Sequence, residues 1–189
     1  MQIGEIEHST DHSYDEFFRA YGSAMFAWQK VETALFKLYY SVNVLTGRLD
    51  IMASANAYYR KKSFSSKLTL VSKLAQHANV HSFIDWISLE RDLKNKSVFR
   101  NSLAHRPAHL VGNLDGSISV ELGDPIFEPL SLRGIPGLAF KYDTAGCLRL
   151  YSCFKDLAQR IDAERERIPH QFANNKLITQ TKQGAKQQQ

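Results

Sequence analysis

A six-residue segment, Arg100 to His105, holds the side chains best suited to chemistry in this 189-residue sequence. It reads Arg-Asn-Ser-Leu-Ala-His, so a guanidinium, an amide and an imidazole fall within about a turn and a half of a predicted helix. Arginine stays charged and holds a phosphate through a planar fork of N–H donors. Histidine takes up and releases a proton near neutral pH. The three side chains therefore indicate chemistry on a phosphodiester.

This segment, which we call the motif, occupies the last turns of a helix predicted over residues 82–105. Pro107 ends that helix, because the residue before a proline avoids helical geometry. Asn101 and His105 are four residues apart and share a face, whereas about 140° separates Arg100 from His105 around an ideal axis. The two can converge if the last turn frays, or if a second copy of the chain brings its own motif to the same cleft.

Basic residues surround the motif. The net charge is +5, and residues 91–106 hold five cations and one acid, while residues 60–73 hold five cations and none. A basic surface beside a site for phosphate chemistry fits nucleic-acid binding, and Lys94, Lys96 and Arg106 are the predicted RNA-binding residues. Two solvated helix faces explain the same runs equally well.

Composition excludes several other classes of function. The hydrophobic share is 43%, which is ordinary for a globular protein, and no apolar run is long enough to span a bilayer. The first residues lack the basic and apolar regions of a signal peptide, so we expect a cytoplasmic protein with no membrane partner. Cys147 and Cys153 have neither zinc nor redox spacing, and no phosphate-binding glycine motif is present. We therefore expect no metal and no cofactor.

The spacing of apolar residues predicts an all-α fold, a four- or five-helix antiparallel bundle. The predicted helices cover residues 14–46, 50–79, 82–105 and 144–168, with a break near residues 61–63 in the second. The expected core side chains include Trp28, Leu35, Phe83, Trp86, Ile87, Leu89, Leu93, Leu148, Tyr151 and Phe154.

A loop-rich insertion at residues 107–143 separates the last two helices. Alternating polar and apolar residues at 117–122, preceded by Asp115-Gly116, predict a small β-hairpin in it. We expect residues 1–170 to form one domain. Residues 171–189 are polar and are predicted to be a disordered tail.

Glu32 lies close to the apolar stripe of the first predicted helix, four residues after Trp28. We expect its carboxylate to reach solvent at the edge of the stripe. The alternative is a buried acid that positions a basic group.

The motif resembles that of the HEPN superfamily, small all-α proteins defined by Arg-x4–6-His with a polar residue, often Asn, after the arginine. Arg100, Asn101 and His105 fill these three positions, and the resemblance covers roughly residues 14–168. It implies a metal-independent endoribonuclease that acts as a toxin or defence effector. It also implies a homodimer with the motif at its interface and an antitoxin protein as a further partner.

The chemistry of RNA agrees with this implication, because the 2′-hydroxyl is a nucleophile that RNA itself supplies. His105 would serve as general base or acid, Arg100 would stabilise the charge that grows on the phosphate, and Asn101 would orient the histidine or the phosphate by hydrogen bonding. One alternative is a non-catalytic HEPN-like helical module that binds a protein or nucleic-acid partner. Another is purely structural, with Arg100 a surface cation and His105 a helix end favoured by the macrodipole.

Overall fold

A computed structural model describes the chain over residues 3–112, 118–123 and 142–169. Within these residues there are five α-helices, a short 3-10 helix and a two-stranded antiparallel sheet. The elements are α1 (Ile3–Leu45), α2 (Ile51–Tyr59), α3 (Phe64–His77), the 3-10 helix (Val80–Ser82), α4 (Trp86–His105), β1 (Ala108–Gly112), β2 (Ile118–Leu122) and α5 (Thr144–Glu166). The predicted all-α class, with a small β-hairpin before the last helix, is confirmed.

Capping side chains decide several helix boundaries. The predicted break near residues 61–63 is confirmed and separates α2 from α3, because Ser63 takes an extended backbone and its hydroxyl accepts a hydrogen bond from Ser66 N at 3.1 Å. Helix α4 begins later than residue 82, because Asp85 Oδ1 accepts from Ser88 N at 3.1 Å. Helix α1 begins before residue 14, and no proline interrupts it.

The described residues form two compact units. The first contains α1 up to Val31 and the described residues between Lys94 and Ala158, and the second contains Glu32 to Leu93 and residues 159–169. That residues 1–170 form one domain stays a prediction. The expected disorder of residues 171–189 and most of the insertion lie outside the described residues.

The core of the first unit is built around an aromatic pair. Trp28 and Phe154 meet edge to face with ring centroids 5.0 Å apart, and neither is more than 1% exposed. Leu103 is also fully buried and fixes the last turns of α4 in this unit. The hairpin is tied in by backbone bonds from Leu122 N to Tyr142 O and from Gly123 N to Pro107 O, each 3.1 Å long.

Four side chains expected in the core are exposed. On α4 the buried face carries Trp86, Leu89 and Leu93, which leaves Ile87 on the opposite side and 70% exposed. On α5 the buried face carries Cys147, Leu150 and Phe154, so the neighbouring positions point outward. The four residues that were predicted wrongly are Phe83, Ile87, Leu148 and Tyr151.

Glu32 is a partly buried acid that positions a basic group, so the expectation that it reaches solvent is wrong. Its carboxylate forms an ion pair with Lys67 Nζ, and the two side chains are 20% and 13% exposed. Its backbone carbonyl accepts a hydrogen bond from the Tyr58 hydroxyl at 3.0 Å. The carboxylate stays near the core because Lys67 on α3 compensates its charge there.

Candidate active site on helix α4

Helix α4 remains regular to its end. His105 is its last residue, and Arg106 N still donates to Ser102 O at 3.1 Å. Of the two ways in which Arg100 and His105 could converge, a frayed last turn is not observed, and convergence through a second copy of the chain stays a prediction. The motif arginine and histidine keep the separation of about 140° that an ideal helix gives them.

Arg100 lies on the buried side of the helix. It stands seven residues after Leu93 and three before Leu103, both buried, and its own Nε is shielded from solvent. The outer end of its guanidinium turns toward the exposed side, where Nη1 donates to Asn101 Oδ1 at 3.3 Å. The helix thus holds the inner part of the side chain and presents the charged fork beside Asn101.

The exposed side of this helix carries the other two motif residues. Asn101 and His105 are both exposed and one turn apart, in line with Lys94 and Val98. We call these four exposed residues the motif face. Asn101 and His105 differ by only about 40° around the axis and about 6 Å along it. The Asn101 contact therefore brings the arginine fork toward the face that His105 occupies.

The three predicted RNA-binding residues do not share one face. Lys94 lies on the motif face. Lys96 lies, by helical position, on the side of Arg100, and its Nζ is 5.8 Å from the centroid of the Phe99 ring. The Arg106 guanidinium carbon lies 5.1 Å from the centroid of the Tyr142 ring. The last two cations are held against aromatic rings next to the motif.

The cations of the second basic run, at residues 60–73, fall into two groups, one partly buried in an ion pair and the others exposed. Lys67 is engaged with Glu32, and its Nζ lies within 6 Å of the rings of Tyr58 and Tyr59. Its role is therefore structural. Burial, with the Glu32 carboxylate nearby, raises the pKa of the Tyr58 hydroxyl well above its ordinary value. The other four cations of the run are exposed.

Sequence reasoning missed a cavity in the second unit. It has a volume of about 370 Å³ and lies at the connection between α1 and α2, where Tyr39, Asn43, Arg48 and Asp50 contribute to its wall. The sequence located the connection itself, through Gly47 as a helix end and a second helix from residue 50, but no sequence signal indicated the cavity beside it.

No family model, curated protein or solved structure matches this chain. Within the described ranges, no three His, Cys, Asp or Glu side chains are grouped as metal ligands would be. In the same ranges, none of the helices carries an apolar stretch long enough to cross a membrane. The similarity to the HEPN superfamily accordingly rests on the motif residues and the helical fold class.

Proposed function

We propose that this chain is a metal-independent endoribonuclease, a toxin or defence effector that acts as a homodimer with the motif at its interface. The observation that carries the proposal is the Arg100–Asn101 hydrogen bond on α4. It directs a permanent cation toward the exposed face on which His105 stands. A cation and a proton-transferring group beside one phosphate are what cleavage by a 2′-hydroxyl requires.

The reaction balances with the groups that two chains supply. The neutral imidazole of one His105 removes the proton from the 2′-hydroxyl, and the oxygen forms a bond to phosphorus. The bond from phosphorus to the 5′-oxygen breaks, and that oxygen receives a proton from the His105 imidazolium of the second chain. The products are a 2′,3′-cyclic phosphate and a 5′-hydroxyl. Arg100 stabilises the negative charge on the non-bridging oxygens during this exchange.

A second copy is needed because one chain supplies one motif histidine, whereas the reaction uses a base and an acid. The motif face suits such a meeting, since Val98 stands between Lys94 and Asn101 with 60% of its surface exposed. Pairing two such faces removes this apolar side chain from water. It also resolves the separation of Arg100 from His105 within one helix.

Asn101 acts in this proposal as a positioning residue. Its Oδ1 holds the Arg100 fork, which leaves its Nδ2 donors for an RNA oxygen. Lys94 on the motif face binds flanking phosphates, and Lys96 and Arg106 add positive charge nearby. We place the activity in the cytoplasm, with an antitoxin protein as the partner that restrains it.

The end groups of the products test this chemistry. We expect purified protein to cut RNA in the presence of EDTA and to leave 2′,3′-cyclic phosphate and 5′-hydroxyl ends. Mass spectrometry of a defined oligonucleotide distinguishes these ends from the 3′-hydroxyl and 5′-phosphate of metal-dependent nucleases. Replacing the 2′-hydroxyl at the cut site with hydrogen should abolish cleavage, because the nucleophile is then missing.

A second candidate is a non-catalytic helical module that binds RNA or a protein partner. The observation that favours it is the regular end of α4, which keeps Arg100 and His105 on different sides of a single chain. This module would bind RNA in a gel-shift experiment and leave it intact, and the proposed nuclease would bind and cut it.

A further inference from the structure

The cavity at the connection of α1 and α2 is formed by a tight turn. Gly47 has a φ of +83°, a left-handed conformation that suits glycine, and Arg48 N donates to Asn43 O at 2.8 Å. The Tyr40 hydroxyl donates to Leu49 O at 3.2 Å and holds the rest of the connection. The volume of about 370 Å³ lies near the lower end of the range for small-molecule sites.

Two buried polar side chains contribute to the inner wall of this cavity. Tyr39 is 6% exposed and Asn43 is 2% exposed. Asn43 Nδ2 donates to Tyr39 O at 3.2 Å. In the described part of the chain, the Asn43 Oδ1 and the Tyr39 hydroxyl have no hydrogen-bond partner, and neither atom is sealed from solvent. Both atoms can therefore still form a hydrogen bond, and their residues line the cavity.

Two oppositely charged residues, Arg48 and Asp50, line the same cavity and are two positions apart in the sequence. Among the described residues, Arg48 and Asp50 form no ion pair with each other or with another side chain. Asp50 Oδ1 accepts from Ala53 N at 2.9 Å as the cap of α2, which leaves Oδ2 for another donor. Ser54, which also contributes to the wall, donates its hydroxyl proton to Asp50 O at 2.9 Å, so its oxygen can act toward a ligand only as an acceptor. The site thus offers one cation and several acceptors.

We propose that this cavity binds a free neutral α-amino acid. The Arg48 guanidinium binds the carboxylate through its fork of donors, and the Asp50 carboxylate and Asn43 Oδ1 accept from the ammonium. A compact apolar side chain lies against Ala53 and Ala57, the small residues of α2 on this wall. This site is independent of the proposed RNA cleavage, because none of its residues belongs to the motif.

The distribution of charge favours an amino acid over a phosphate-bearing ligand. Any anion on Arg48 is repelled by the Asp50 carboxylate, but an amino acid carries an ammonium group that can pair with Asp50 and offset this repulsion, whereas a phosphate group carries no such cation. The acceptors of the wall require N–H or O–H donors, and an ammonium group supplies three. A polyamine would satisfy the acceptors but would place a like charge beside Arg48.

Calorimetric titration of the purified chain with each neutral L-amino acid, at up to about 10 mM, tests the proposal. We expect one-to-one binding of at least one amino acid with an apolar side chain. Its amide, which lacks the carboxylate, and its N-acetyl form, which lacks the ammonium, should bind at least about tenfold more weakly. The same titrations with AMP and with spermidine test the two competing classes of ligand, a phosphate-bearing molecule and a polyamine.

Variants tie the binding to the cavity. Arg48→Gln should weaken the amino acid at least about tenfold but leave its amide nearly unchanged, and Asp50→Asn should weaken it while still capping α2. Ala57→Leu should fill the cavity, whereas Asn56→Leu, at a neighbouring position of the same helix that does not line the cavity, is the matched control. The proposal is overturned if no amino acid binds, if AMP or spermidine binds instead, or if Asp50→Asn and Ala57→Leu bind as the wild type does.

Discussion

Nη1 of Arg100 donates to Oδ1 of Asn101 over 3.3 Å, and this bond links the buried and exposed sides of α4. The inner part of the arginine is fixed among buried side chains, with its Nε shielded from solvent. Its charged end is aimed by a neighbour that is itself exposed. This bond directs the cation toward the exposed face of α4, and the proposed nuclease would depend on such preorganisation to stabilise charge on a phosphate.

Replacing Asn101 with alanine should lower the rate of RNA cleavage about 10- to 100-fold, because the Arg100 fork loses the hydrogen bond that aims it. The midpoint of urea unfolding should stay unchanged, since Asn101 is exposed. Asn95→Ala, at another exposed position of α4, is the control and should cleave normally. Equal activity of the two variants would remove Asn101 from the site.

Replacing Val98 with glutamate should abolish dimerisation and cleavage together, because two buried carboxylates would face each other across the motif interface. Light scattering during size-exclusion chromatography measures the mass, and the RNA assay measures the activity. Leu148→Glu, at a comparably exposed apolar position on α5, should change neither. A Val98→Glu protein that remains dimeric would place the interface elsewhere.

Lys67→Met should lower the free energy of unfolding by about 1–3 kcal/mol, because it leaves the partly buried Glu32 carboxylate without its cation. Urea denaturation measures the loss. Lys73→Met removes a cation from an exposed position of the same helix and should cost much less. In the double variant Glu32→Gln with Lys67→Met, part of the stability should return. Similar losses for Lys67→Met and Lys73→Met would mean that the ion pair stabilises nothing.

The chain should lose stability as the pH rises from about 9 toward 11. Burial raises the pKa of the Cys147 thiol from its ordinary 9.0 to about 11, so in this interval only the unfolded chain releases the proton. The stabilisation from the raised pKa is complete below pH 9 and declines above it, by at most about 2–3 kcal/mol. The raised pKa of Tyr58 acts in the same direction.

Thermal melts between pH 8 and 11 measure this decline, and Cys147→Ala should show a shallower one than the wild type. A thiol reagent at pH 8 should label the partly exposed Cys153 and spare Cys147 in the folded chain. Rapid labelling of both thiols before unfolding would show that Cys147 is accessible, which would contradict the burial that raises its pKa.

The sequence predicted the helices well because their signals are local. Gly47 and Pro107 marked helix ends, and a break near residues 61–63 was expected before α3. The hairpin was predicted from β2, whose residues alternate, and β1 was missed because it follows Pro107 directly with no turn signal before it. The outward positions of Ile87 and Leu148 could not be predicted, since periodicity alone does not say which of two apolar stripes meets the core.

The candidate site was also predictable only in part. Arg100, Asn101 and His105 could be found from residue type and spacing, but the hydrogen bond that aims the arginine depends on a side-chain conformation. The Glu32–Lys67 ion pair joins residues far apart in sequence. Each residue could be singled out from the sequence, but their contact could not be predicted. The cavity depends on two buried polar residues of α1, Tyr39 and Asn43, that resemble ordinary helix positions in the sequence.

The most direct test of the proposed nuclease is an RNA cleavage assay in EDTA. It compares the rate at which the wild type and two histidine variants cut a fluorescent RNA. His105→Ala removes the exposed histidine that ends α4, and His77→Ala removes the exposed histidine that ends α3. The account predicts that His105→Ala lowers the rate at least about 100-fold while remaining folded, and that His77→Ala cuts as the wild type does. Intact RNA with the wild type, or equal cleavage by His105→Ala, would contradict it.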